Sequence, residues 1–284
     1  MEAQVSKGFL LFAQNTDTVD YIQQAYALAL SIKHSQVDIK NISVVTNDKV
    51  PPEYKDIFDH ILPIPFFNEN INSSFKTEHR YQMYYATPYD ETIVLDTDML
   101  LLDDISVWWE YCSNHDIKFC NRIRNHKLET VMDTVHRKAF IANNLSNPYF
   151  ALHYFKKSDN ASNFYKVLEF VCNNWEWCWT KFAPEHYQNW SSMDLAVAIA
   201  IEISGVHESL IDESCPMEFT HMKPAIQGWP LIPEKWQTAV PYFLNPQGEL
   251  IVGNIKQTKL FHYIEKDFLT PALINQLEGL VNGR

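Results

Sequence analysis

Asp96-Thr97-Asp98 is the group of residues in this chain best placed to do chemistry. Two carboxylates at i and i+2, just beyond a buried strand, can face the same side of a turn. Hard oxygen ligands of this kind suit Mg²⁺ or Mn²⁺, with phosphate oxygens and water completing the shell. A cation held there would neutralise a leaving diphosphate. The bland reading is that such aspartates merely punctuate a strand end. Context favours the chemical one: Thr92-Ile93-Val94-Leu95 leads in, and Met99-Leu100-Leu101-Leu102 leads out to Asp103-Asp104.

The elements that must position the pair can be read from periodicity. Gly8 to Gln14 forms a buried first strand, and residues 19–34 carry apolar groups at helical spacing behind an Asp17 or Thr18 cap. Ile42 to Thr46 is a second strand, His60 to Ile64 a third, and residues 75–86 a helix stopped by Pro88. Strand and helix alternating as far as Leu95 predicts a parallel sheet of βαβ units, whose ligands gather at the carboxyl ends of the strands. Asp96 and Asp98 lie at one such end. Further on, residues 128–145, 161–173 and 192–204 read as helices, Tyr149 to Phe155 as a strand, and the tail from Pro216 as loop until a last strand at Lys259 to Tyr263.

The chain has 284 residues, 46% hydrophobic and 20% charged, enough for a substantial core. Its formal net charge of -12 disfavours nucleic acid and anionic membranes as partners. No run reaches the ~20 apolar residues of a membrane helix, and the N-terminus lacks a signal-peptide pattern. The five cysteines (Cys112, Cys120, Cys172, Cys178, Cys215) show no C-x-x-C spacing, which fits reduced thiols and a cytoplasmic location. None of the seven glycines falls at G-x-G-x-x-G or Walker spacing, so phosphates would need a metal held by carboxylates instead. Haloacid-dehalogenase-type phosphatases also use D-x-D. They place Thr or Val two residues after the second Asp and set the motif near the N-terminus, whereas this chain has Leu100 and some ninety residues ahead of the motif.

From Phe9 to Asp104 the chain resembles glycosyltransferase family 8, the galactosyltransferase and glycogenin-like group. The carrying segments are FAQNTDTVDYIQQAYALALSIKHS and KTEHRYQMYYATPYDETIVLDTDMLLLDDI. The resemblance implies a GT-A-like α/β fold: a Rossmann-type mixed or mostly parallel sheet flanked by helices, with an irregular helical acceptor side. It implies one domain over 1–284, with a nucleotide-binding half (1–105) and an acceptor-side half (106–284). The implied activity is metal-dependent transfer of a sugar from a nucleotide-sugar donor, most simply a UDP-sugar, to an unidentified acceptor.

Residue by residue, the resemblance implies that Tyr21 stacks on the nucleobase, while Gln14 and Asn15 meet base and ribose. Lys76 and Arg80 lie where a cation can reach the donor, and Thr97 falls within the donor-binding block. His262 in KLFHYIEKDF becomes the third metal ligand, Lys266 the diphosphate contact, and Asp194 the acidic group near the anomeric carbon. A neutral imidazole ligand leans the choice toward Mn²⁺ over Mg²⁺. His221, with Lys223 nearby, is a rival for the ligand position. Three places depart from the family: Pro148-Tyr149-Phe150-Ala151 replaces Asn-Ala-Gly, Asp194-Leu195 replaces Asp-Gln, and the glycine-containing loop after the late histidine is missing.

Trp175, Trp177 and Trp179, read as alternating on one strand face, could join Trp190 in a stacking floor for an acceptor sugar. Two other functions fit the same residues. One is a nucleotidyltransferase or other metal-nucleotide enzyme; the other is a catalytically silent, glycosyltransferase-like binding protein.

Overall fold

The computed structural model describes residues 5–67, 78, 80–185, 190–206, 214–229 and 235–283. Its first sheet runs in the order β3 (His60–Leu62), β2 (Ile42–Val45), β1 (Lys7–Phe12), β4 (Glu91–Leu95), β9 (Tyr149–Lys156), β6 (Ile117–Cys120). The first four strands are mutually parallel, and β9 runs antiparallel to both its neighbours. Both faces are covered, which is why these strands read as unbroken apolar runs rather than alternating ones. Leu10 and Phe12 pack on one side with the helices Asp159–Asn173 and Met193–Ser204. Phe9 and Leu11 pack on the other with Tyr21–Ser35 and Ser106–Cys112.

The second sheet runs β5 (Met99–Leu101), β14 (Leu260–His262), β10 (Phe219–His221), β7 (Ile123–Arg124), β8 (Thr130–Val131). β5 begins directly after Asp98, so the aspartate pair forms the link between the two sheets. A small antiparallel sheet of β11 (Tyr242–Leu244), β12 (Leu250–Val252) and β13 (Ile255–Lys256) follows β10 in the chain. Leu100, Phe261, Tyr263 and Trp236 join Leu273 and Leu277 of the helix Pro271–Asn282 in a third apolar cluster.

Several expectations need correction. The first long helix is capped by Asp20, whose side chain accepts from Gln23 N at 3.0 Å, and not by Asp17 or Thr18. Thr16 instead organises the turn ahead of it, accepting from Val19 N at 3.1 Å. Residues 128–145 hold β8 and a short helix, Lys138–Ala142, in place of one long helix. The Asn125 side chain folds the chain back by accepting from Lys127 N and Glu129 N at 2.9 and 3.1 Å, an alternative that Asn offers the backbone in competition with helix. In the 75–86 stretch a 3₁₀ turn (Arg80–Gln82) precedes a single helical turn (Met83–Ala86), and residues 75–77 and 79 lie outside the described residues. Trp175–Phe182 is a helix and not a strand. The stretch from Pro216 is strand-bearing, and the helix Pro271–Asn282, capped by Thr270, was not anticipated.

Candidate functional site

The end of β4 places the first aspartate. Asp96 N donates to Ala151 O of β9 at 3.0 Å, and Asp96 Oδ1 accepts from the Arg80 guanidinium at 2.5 Å. Arg80 is buried, its guanidinium 5.9 Å from the Phe12 ring centroid and 5.4 Å from that of Phe150. It braces Asp96 from the protein side. Thr97 is buried in the turn between the two carboxylates.

The β5–β14 register places the second aspartate. His262 lies opposite Met99, and Tyr263 N donates to Asp98 O at 3.2 Å, so His262 has to stand beside Asp98. Its Nε2 lies 3.0 Å from Asp98 Oδ2. Ile264 then takes a left-handed φ of 65°, an unfavourable conformation for a β-branched residue, where the resembled family has a glycine-containing loop. This turn sends Lys266 back to Asp98 Oδ2, its ammonium also donating to Ile264 O at 2.6 Å. Burial alone would raise the Asp98 carboxyl; the His262 and Lys266 charges outweigh that and hold it well below the usual carboxylate range. Burial likewise pulls the Lys266 ammonium down, and the Asp98 carboxylate more than reverses it.

Ligand atoms of Asp96, Asp98 and His262 lie within 4.8 Å of one another. Two carboxylates and an imidazole make a donor set suited to a divalent cation. The His262 Nδ1 is buried without a hydrogen-bond partner, so Asp98, on Nε2, is the ring's hydrogen-bond partner. The residues fit a metal.

Tyr21 opens the first long helix at the carboxyl end of the sheet, and Lys266 Nζ lies 5.9 Å from its ring centroid. Burial raises its phenol above the ordinary range, with Lys266 opposing. Gln14 stands half-buried just past β1. Asn15 is held in place by the scaffold: its Oδ1 accepts from Ile22 N at 3.1 Å, and its backbone N donates to Asp48 at 2.6 Å. Lys76 lies outside the described residues.

Asp194 sits in the first turn of Met193–Ser204 and faces the start of β9. Its Oδ1 accepts from Phe150 N at 2.7 Å, and its Oδ2 pairs with Arg137 at 2.7 Å. Arg137 is buried, its guanidinium 3.8 Å from the Tyr149 ring centroid and 4.8 Å from that of Phe140. A cavity of about 190 Å³ is lined by Asp194, Arg80, Asp96 and His262 together with Trp190 and Lys223. His221 also lines it, in register with His262 on the next strand, the two ring centroids 4.8 Å apart. Burial, aided by the His262, Lys223 and Arg137 charges, holds His221 well below the usual imidazole range. The Asp96, Asp98 and His262 cluster does not include His221.

The tryptophans divide differently from the expected floor. On their helix, Trp179 is buried in the core and Trp177 is 57% exposed. Trp190 alone of the four lines the cavity. Sequence reasoning missed Arg137, which fell inside a stretch read as a plain helix and carried no motif. The arrangement as a whole can hold a divalent cation at one end and place a carboxylate, Asp194, at the other.

No protein-family model matches the chain, and no curated protein matches it by sequence. Solved structures do resemble it. The apo-form glycosyltransferase GlyE of Streptococcus pneumoniae TIGR4 is 14% identical with a TM-score of 0.50, over 98% of this chain and 63% of that one. This chain therefore spans under two thirds of the length of GlyE. Mouse xyloside xylosyltransferase 1 in its apo form is 12% identical with a TM-score of 0.51, over 91% of this chain and 98% of that one. At these identities the likeness is one of fold: the chain has the mixed α/β, GT-A-like architecture of these proteins.

Proposed function

We propose that this chain is a metal-assisted glycosyltransferase, transferring a sugar from a nucleotide-sugar donor, most simply a UDP-sugar, to an acceptor hydroxyl. The observation that carries the reading is the convergence of Asp96, Asp98 and His262 where β4 passes into β5. The fold shared with GlyE and xyloside xylosyltransferase 1 supports it.

In this reading Asp96, Asp98 and His262 hold Mn²⁺ or Mg²⁺. When bound, the cation supplies positive charge to the departing diphosphate. Arg80 holds Asp96 in its orientation. Lys266 transfers its ammonium from Asp98 to a diphosphate oxygen, so it is charged where the leaving group gains charge. Tyr21 stacks on the base, while Gln14, Asn15, Thr97 and Lys76 complete the donor site. Asp194, fixed by Arg137 and Phe150 N, stands near the anomeric carbon. The acceptor oxygen bonds to that carbon, the bond to the diphosphate oxygen breaks with its electron pair on that oxygen, and the acceptor proton passes to water.

Calorimetry tests the site: UDP should bind with Mn²⁺ present and lose that affinity in Asp98→Ala. Equal affinity in excess chelator would contradict the metal-assisted reading.

A further inference from the structure

We infer that the acceptor is an anionic saccharide, its phosphate or carboxylate met by Lys223 on the Asp194 side of the cavity. The inference rests on the glycosyltransferase reading and deepens it. Arg80 and Arg137 line the same cavity, and Lys266 stands at its metal end; each holds a carboxylate, Asp96, Asp194 and Asp98 respectively. Among the described residues, the Lys223 ammonium has neither an ion pair nor a hydrogen bond, although it lines the cavity. Lys223 is partly buried, and an unpaired ammonium in a cavity wall gains a charge-assisted hydrogen bond from an arriving anion.

The backbone around Lys223 is held firmly. Ile226 N donates to Lys223 O at 3.0 Å, and Gln227 Nε2 donates to His221 O at 2.7 Å. Gln227 Oε1 in turn accepts from His126 N at 2.8 Å. The lysine thus issues from a fixed turn directly after β10. Burial lowers its ammonium below the ordinary range, with Arg137 adding to this and Asp133 and Asp194 opposing. Asp133 is engaged locally, accepting from His136 N at 2.8 Å and Val135 N at 3.1 Å. The carboxylates that act on Lys223 are Asp133 and Asp194, and neither Asp96 nor Asp98 is among them. At about 190 Å³ the cavity is smaller than a complete small-molecule site, roughly 300–1,000 Å³, and suits one subsite of a larger groove.

The test measures binding of glucose 6-phosphate, glucuronic acid and glucose to the full chain loaded with Mn²⁺ and UDP, so that the donor phosphate position is already taken. The anionic sugars should bind at least tenfold more tightly than glucose. Lys223→Gln should abolish that preference, and Lys223→Arg should restore it. Preference for the phosphate alone or for the carboxylate alone identifies the acceptor group. Equal binding of all three sugars, or a preference unchanged in Lys223→Gln, overturns the inference. Failure of the underlying reading is seen separately: if the wild-type chain retains the anion preference but releases no nucleoside diphosphate from any nucleotide sugar, the anion is not an acceptor and the assignment falls.

Discussion

His262 and Lys266 both reach Asp98 Oδ2; in the proposed function the ring stays as a ligand and the ammonium leaves for a phosphate. Replacing the histidine leaves Lys266 in place to keep Asp98 paired in the folded chain. His262→Ala should therefore weaken Mn²⁺-dependent UDP binding by at least roughly 100-fold, the upper range for losing a mere outer-shell partner of a metal ligand, with little change in melting temperature. Calorimetry and thermal unfolding on the same samples check this; loss of fold with the affinity would assign His262 a structural role. The sequence makes Asp96 and Asp98 legible because carboxylates stand directly after a β-branched apolar run. His262 could be picked out only through family resemblance, since nothing local joins it to residues 164 positions away. Arg137 could not be found at all: its partners, Asp194 and the Tyr149 and Phe140 rings, meet it only in the folded chain.

Two strand pairings do most of the positioning: β5 on β14 sets His262 beside Asp98, and β4 on β9 sets Asp96 against Ala151. β9 also carries His153 through the core, between the rings of Phe119 and Phe150, its Nδ1 2.8 Å from Phe150 O. Burial pushes this imidazole down to about 3 from an ordinary 6.5. Between those values the unfolded chain binds a proton that the folded chain refuses. The stability is thus fully present above about pH 6.5 and falls as pH drops toward 3, by about 1.4 kcal/mol per pH unit for this one group. Urea unfolding at pH 7.5, 6 and 5 should show a slope at least that steep, because buried His221 adds to it with the same sign, and His153→Phe should reduce it by about that one group's share. An unchanged slope would place the acid sensitivity elsewhere. At this scale the long elements were legible because both-face burial and helical spacing extend over many residues. The two- and three-residue strands β7, β8, β10 and β13 were not, because they are too short for any period and form through partners distant in the chain.

Over the whole molecule, the aspartate pair sits at the passage from the first sheet into the second, and the cavity lined by Asp194 opens beside it between β9, β10 and the helix Met193–Ser204. The parallel run of the first sheet was open to reading as far as β4, while its strand order and the antiparallel insertion of β9 were not, because both are decided by long-range packing. No helix among the described residues is long and apolar enough to cross a membrane. The central claim is that this architecture breaks the bond between a sugar and a diphosphate. The most direct measurement is the identity of the nucleotide product when the purified chain is incubated with a panel of nucleotide sugars and Mn²⁺, separated by ion-exchange chromatography. The account predicts a nucleoside diphosphate, formed slowly with water, faster with an accepted saccharide, and not in excess chelator. Release of a nucleoside monophosphate or of pyrophosphate would contradict it.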